Sequence, residues 1–267
     1  NNTGDFLGFY GANEVTTGVI GVVKNVWNRM FVSNTKKSNS ARKLPYVFSD
    51  IVTDSNGFVY ASTGYTDRAN RTGQIKKFSL GTGQNILESA DVNFTDDEIN
   101  TTHNDGENFN QNIIGMDVDE NGFIYCLDSA FGRIFLYDKE CTMLTSFGTG
   151  MGEGTLNGTF VTPSAISAKN NCVYVTDSSK NTLTVFKETN FAKLFKKAQA
   201  LTLEGEYIAA KDAWLEIIAL DRNIQPAYKG LARVYLTEGE YSLSMEYAEN
   251  GYDRETYALA YEMRRRE

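Results

Sequence analysis

The chain has 267 residues, of which 26 are Lys or Arg and 34 are Asp or Glu, giving a net charge of −8 and a pI near 4.9. Such a field repels phosphate, which argues against nucleic acid and anionic lipid as partners. An apolar share of 41% with 16 Phe, 15 Tyr and 2 Trp excludes a disordered chain, and no run of about 18 apolar residues is present to span a bilayer.

The length suits two modest domains, each with its own core. No signal peptide opens the chain, and its first residues, Asn1 to Asp5, read as a boundary within a longer protein. Asp5-Phe6-Leu7-Gly8-Phe9-Tyr10-Gly11 has the pattern of a terminal strand ending in aromatic-Gly, which implies earlier strands upstream. From Glu14 to about Asn34 the period becomes helical, through Val15, Val19, Val22, Val23, Val26, Trp27 and Met30. This reads as an inserted amphipathic helix packed on a rim, or as a lid or partner-binding helix using Trp27 and Phe31. Lys36 to Lys43 is a polar, basic loop.

A repeat then begins. Phe48 to Ala61 aligns without a gap on Ile113 to Cys126, with Asn56-Gly57 matching Asn121-Gly122 and Tyr60 matching Tyr125. Asn-Gly predicts a tight hairpin with positive φ at its centre, and the alternating residues on either side predict antiparallel strands. Gln74 to Phe78 matches Arg133 to Tyr137 as a third strand. Pro163 to Asp177 followed by Asn181 to Phe186 is a further copy, with Asn170-Asn171 in place of Asn-Gly. A meander of such hairpins is what one blade of a β-propeller needs.

Between the first two copies lies an acidic, polar loop near 88–111 carrying Asp91, Asp96, Asp97, Glu98, Asp105, Glu107 and the only histidine, His103. A solvated excursion accounts for it, and a cation site is the sharper alternative. Asp117-Val118-Asp119-Glu120-Asn121-Gly122, with Asp128 twelfth, imitates a calcium loop but runs into a strand and lacks the closing Glu. Asp117, Asp128 and Asp177 either line a channel or serve as local backbone acceptors, the commoner role at turns. Cys126, Cys141 and Cys172 show no metal spacing and read mainly as small buried hydrophobes, although one pair could bridge. No catalytic or cofactor motif is present, so no catalytic, cofactor or metal residue is assigned.

At Phe191 alternation gives way to helical spacing, placing a domain boundary at 188/189. Gly205-Glu206-Tyr207 recurs as Gly239-Glu240-Tyr241, 34 residues on. The same offset relates Ala198 to Ala232, Leu194 to Tyr228, Leu201 to Tyr235 and Trp214 to Ala248. Helices are expected at about 190–203, 206–220, 224–237 and 240–250, with a last one from Arg254 and Pro226 in a first turn.

The Asp-x-x-Gly-Phe-[Val/Ile]-Tyr segments and Phe-Gly endings resemble NHL-type β-propellers over roughly residues 5 to 187. The period of 34 with Gly-x-Tyr resembles tetratricopeptide repeats over residues 190 to 267. The fold class implied is therefore mainly β then α: a partial propeller of antiparallel four-stranded blades (1–188), then helical hairpins (189–267). The combination is similar to a family of Gram-positive bacterial membrane proteins whose NHL and tetratricopeptide parts lie outside the cytoplasm, joined to a Yip-type membrane domain. That resemblance implies membrane tethering through other segments and carries no catalytic motif.

The favoured expectation is a non-catalytic binding scaffold, with a protein or peptide held in the helical groove. Tyr207, Trp214, Tyr228 and Tyr241, together with Trp27 and Phe31, are its candidate partner-binding residues. The alternatives are a fragment of a propeller enzyme or carbohydrate-binding sensor whose active residues lie in other blades, and a purely structural stalk. Three units and one strand fall short of a closed ring, so a homodimer through exposed sheet edges is also expected.

Overall fold

A computed structural model describes residues 48–63, 74–79, 85–89, 111–152 and 156–266. The expected strand at 5–11, the inserted helix with Trp27 and Phe31, the basic loop and His103 lie outside the described residues. The order is β then α. Contacts divide the chain into two compact units, one of Asn1–Lys169 with Tyr174–Thr184, the other of Asn170–Val173 with Val185–Glu267.

Each copy of the repeat forms its own antiparallel sheet. The first contains β1 (Asp50–Thr53), β2 (Phe58–Ser62) and β3 (Ile75–Ser79) in that order. A short helix, α1 (Ile86–Ser89), opens the region expected to be an acidic loop. The second sheet runs β4 (Ile113–Val118), β5 (Ile124–Asp128), β6 (Arg133–Tyr137) and β7 (Met143–Phe147). A parallel pair, β8 (Gly150–Met151) and β9 (Thr159–Phe160), leads to the third sheet of β10 (Pro163–Lys169), β11 (Cys172–Asp177) and β12 (Thr182–Lys187). Among the described residues only the second sheet has four strands; the first and third have three.

Register follows the alternation. Val52 lies opposite Tyr60 and Met116 opposite Cys126, which directs one residue set of each sheet toward a shared core. Tyr60 and Ile75 of the first sheet join Ile113, Met116, Ile124, Cys126, Phe135 and Tyr137 of the second in that core. Ile134 and Leu136, on the opposite face of β6, are also buried, so the second sheet is covered on both sides.

The Asn-Gly turns differ from the expected pair of positive φ angles. Only the glycines are left-handed, with φ of 82° at Gly57 and 83° at Gly122. The preceding aspartate is the cause. Asp54 Oδ1 accepts from the Asn56 and Phe58 N–H groups, each at 2.9 Å, while its Oδ2 accepts from Tyr60 Oη at 3.3 Å. Asp119 repeats this with Asn121, Phe123 and Tyr125 at 2.9, 3.0 and 3.3 Å. The side chain thereby holds a turn whose last residue alone is left-handed, a type I turn with a glycine bulge. Asn170-Asn171, with φ of 53° and 58°, is the turn with two positive angles. We expect Gly122→Ala to destabilise by about 1 kcal/mol and Asn121→Ala to change stability by less than about 0.5 kcal/mol. Urea unfolding of the two variants checks this, and equal losses would restore the symmetric turn.

In the second unit the helices are α2 (Asn190–Glu204), α3 (Tyr207–Leu220), α4 (Gln225–Glu238), α5 (Tyr241–Asn250) and α6 (Arg254–Arg264), close to the expected spans. Thr189 caps α2 by accepting from Ala192 N at 3.1 Å, and Pro226 stands in the first turn of α4. Gly205 ends α2 at φ 82°, its N–H bonded to Thr202 O at 3.3 Å and the Glu206 N–H to Leu201 O at 2.9 Å. Gly239 ends α4 at φ 80° with the equivalent bonds to Leu236 O and Tyr235 O at 3.3 and 3.0 Å. Both are left-handed caps that satisfy carbonyls otherwise left open at a helix end.

Candidate functional site

Four of the aromatic candidates fall on described residues, and they divide by burial. Trp214 has 0% of its surface exposed. Its indole N–H donates to Thr202 Oγ1 at 2.8 Å, Phe195 meets it edge-on at 5.5 Å between ring centroids, and Gly230 lies against its ring. The side chain offers nothing to a partner, and the expected binding role is corrected to a packing role. Tyr207 and Tyr241 are half-buried and open α3 and α5 at equivalent positions, their N–H groups bonded to Gly205 O and Gly239 O at 2.9 Å. Tyr228 is half-buried and donates its hydroxyl to Arg222 O at 3.0 Å.

Tyr228 belongs to a larger aromatic row that the repeat pattern did not single out. Tyr247 on α5 lies 6.1 Å from Tyr228 and 5.2 Å from Tyr235, both on α4, and Lys211 Nζ of α3 stands 4.6 Å over the Tyr235 ring. Glu238 holds that ammonium at 2.7 Å. The signal was there: Tyr228 and Tyr235 are two helical turns apart and share a face. Burial, and then Tyr235 and Glu246, push the Tyr247 hydroxyl above its ordinary pKa, and the hydrogen bond that Lys211 donates to Glu238 raises that of Lys211. Tyr235 is buried, Tyr228 and Tyr247 are half-buried and the Lys211 ammonium is paired with Glu238, so the row joins α3, α4 and α5.

In the first unit, the carboxylates considered for a channel or calcium site are engaged by backbone. Asp117 Oδ2 accepts from Ala168 N at 2.7 Å and Ser167 Oγ at 3.0 Å, tying β4 to β10. Asp50 Oδ2 ties β1 to β4 through Met116 N at 2.8 Å. Asp119 holds its own turn, as above. Asp177 accepts four N–H groups, from Val161 and Thr162 at 2.6 and 3.1 Å and from Ser179 and Lys180 at 3.0 and 2.9 Å. Burial alone would raise the Asp177 pKa, but these donors outweigh it and hold the carboxyl below its ordinary value. Asp128, its counterpart one repeat earlier, accepts from Asn112 N and Ala130 N at 2.8 and 3.0 Å through Oδ1, and its buried Oδ2 has no partner. Burial there wins over the N–H groups and Arg133, and the pKa rises.

The three cysteines are free thiols, and Cys126 and Cys141 are buried in the core shared by the first two sheets. Burial pushes Cys141 up to about 12, against the opposing pull of Lys77, and pushes Cys126 up as well. Among the described residues no group of three or more His, Cys, Asp or Glu converges as a metal would require, and no helix is long and apolar enough to cross a membrane.

No protein-family model matches the chain, and no curated protein matches it in sequence.

Proposed function

We propose that the chain is a non-catalytic, extracytoplasmic binding scaffold, made of NHL-type propeller blades followed by tetratricopeptide-like hairpins and tethered to a membrane through segments outside this sequence. The observation that carries the reading is the 34-residue recurrence in the helical unit. Gly205 and Gly239, and Tyr207 and Tyr241, occupy equivalent places with equivalent hydrogen bonds, and Ala198 and Ala232 are both fully buried. Stacked hairpins of this kind leave one row of helices facing outward along a continuous surface, which suits an extended peptide or a partner helix. In the β unit the conspicuous carboxylates are spent on backbone N–H groups, which supports a structural role for them.

The 267-residue chain used as bait, followed by calorimetry with the captured protein after purification, tests the proposal. A Tyr207→Ala and Tyr241→Ala double variant, shown by circular dichroism to stay folded, is expected to bind at least tenfold more weakly. Recovery of no partner, or a partner bound equally by both forms, would overturn the assignment of binding to the helical repeats.

A further inference from the structure

The helical unit sorts its charge by helix. The alternate helices α2, α4 and α6 carry seven Lys or Arg and four Asp or Glu, whereas α3 and α5 carry one Lys and four Asp or Glu. Arg265 and Arg266 extend the basic set past the end of α6, in a chain whose net charge is −8. On α6 these charges alternate with aromatic rings. Tyr257, Tyr261 and Arg265 follow Arg254 by three, seven and eleven residues, a spacing that keeps all four on one side of a helix. Arg265 still has helical backbone, with φ −74° and ψ −17°.

All four are exposed, Tyr257 by 38% and Tyr261 by 50%, and among the described residues none of their side chains has a hydrogen-bond or ion-pair partner. The carboxylates of α6, Glu255 and Glu262, fall outside this stripe, and Glu262 is paired with Arg266 at 3.8 Å. Tyr and Arg are the residue types that interfaces enrich, and a stripe of them with no acidic side chain is unlike the mixed-sign face of a merely solvated helix. Its dimensions set what fits. Eleven residues of helix rise about 16 Å from Arg254 to Arg265, the length of about five residues of extended chain. Each guanidinium offers a fork of donors to a carboxylate, and the rings between them offer flat area to an apolar side chain. A long polyanion or a charged bilayer would also lie against the acidic remainder of the chain, which repels it, whereas a short segment meets the stripe alone.

We propose that this face of α6 binds an extended acidic peptide segment, with carboxylates about five residues apart on Arg254 and Arg265 and an apolar residue between them on Tyr257 and Tyr261. The proposal gives the helical unit a partner of stated chemistry. It rests on residues other than Tyr207 and Tyr241, so this assignment and the one above can fail separately.

Fluorescence anisotropy with the 267-residue chain and a labelled peptide of sequence Asp-Asp-Gly-Phe-Gly-Asp-Asp tests it. Binding is expected, weakened at least about tenfold by Arg254→Gln with Arg265→Gln and about threefold by Tyr261→Ala, each variant shown folded by circular dichroism. Removing the same charge elsewhere, by Lys187→Gln with Arg222→Gln at two other exposed positions, is expected to change affinity by less than about twofold. The peptide with Asn in place of every Asp is expected not to bind. Absence of binding by the Asp peptide, equal losses from the two charge pairs, or equal binding of the Asn peptide would overturn the proposal. A parent chain that ignores the peptide and co-sediments with vesicles of phosphatidylserine and phosphatidylcholine would overturn it too, and would assign the face to a membrane.

Discussion

Gly230→Ala is expected to destabilise the helical unit by about 1–3 kcal/mol, although the substitution is favourable by helix propensity alone. A glycine in a helix interior costs about 1 kcal/mol relative to alanine, so an uncrowded site would gain stability. Gly230 is not uncrowded. An added Cβ would overlap three atoms of the Trp214 indole, and that ring has no room to retreat, being fully buried and held by Phe195 and by its bond to Thr202. Overpacking against a fixed aromatic costs about 1–3 kcal/mol, and the loss of the Trp214 to Thr202 hydrogen bond adds about 1 kcal/mol. Urea unfolding followed at 222 nm measures it. The cycle with Trp214→Leu identifies the cause: with the indole gone, Gly230→Ala is expected to be neutral or stabilising. A loss of the same size in both backgrounds would mean that the glycine matters for its backbone and not for the ring.

The second large effect concerns two aspartates at one position of the repeat. Asp177→Asn is expected to cost about 2–4 kcal/mol, because an amide keeps one acceptor oxygen and sets its N–H₂ against two of the four N–H donors that the carboxylate satisfies. Asp128→Asn is expected to change stability at pH 7 by less than about 1 kcal/mol, since the oxygen that receives both hydrogen bonds is retained and the other had no partner. The pH dependences are opposite in sign. Asp177 has a depressed folded pKa, so its contribution is complete above the unfolded carboxylate range, near pH 4, and is lost as pH falls through the folded value. Asp128 has a raised folded pKa, so its ionised form weighs against folding at neutral pH and that penalty fades on acidification toward the unfolded value. Stability of the two variants and the parent between pH 3 and pH 7 is the measurement, and parallel curves for the two variants would refute the assignment.

Much of the architecture was legible in the residues. The repeat of Asp-x-Asn-Gly-Phe-x-Tyr located the first two hairpins, and the 34-residue spacing of Gly205 and Gly239 placed the helix ends to within a residue or two. These are short-range signals, in which a turn residue or a hydrophobic period acts on a chain segment whatever lies beyond it. The turn type was less legible, because it is set by a side chain two and four residues away: Asp54 and Asp119 fold back on the backbone and leave only the glycine left-handed.

The candidate site was the least legible part. Aromatic residues at helical spacing are driven into a core and onto a partner by the same apolar area, so Trp214 and Tyr228 read alike in the chain. Sequence by itself determined the order of β then α, the copies of the repeat and the spans of the helices. Tertiary structure alone decided that Trp214 is buried against Gly230, that Asp117 ties β4 to β10 and that Tyr228, Tyr235 and Tyr247 form one row. The reason is that periodicity states which face of an element must be covered, whereas the neighbour that covers it comes from another element, at a distance the pattern does not encode.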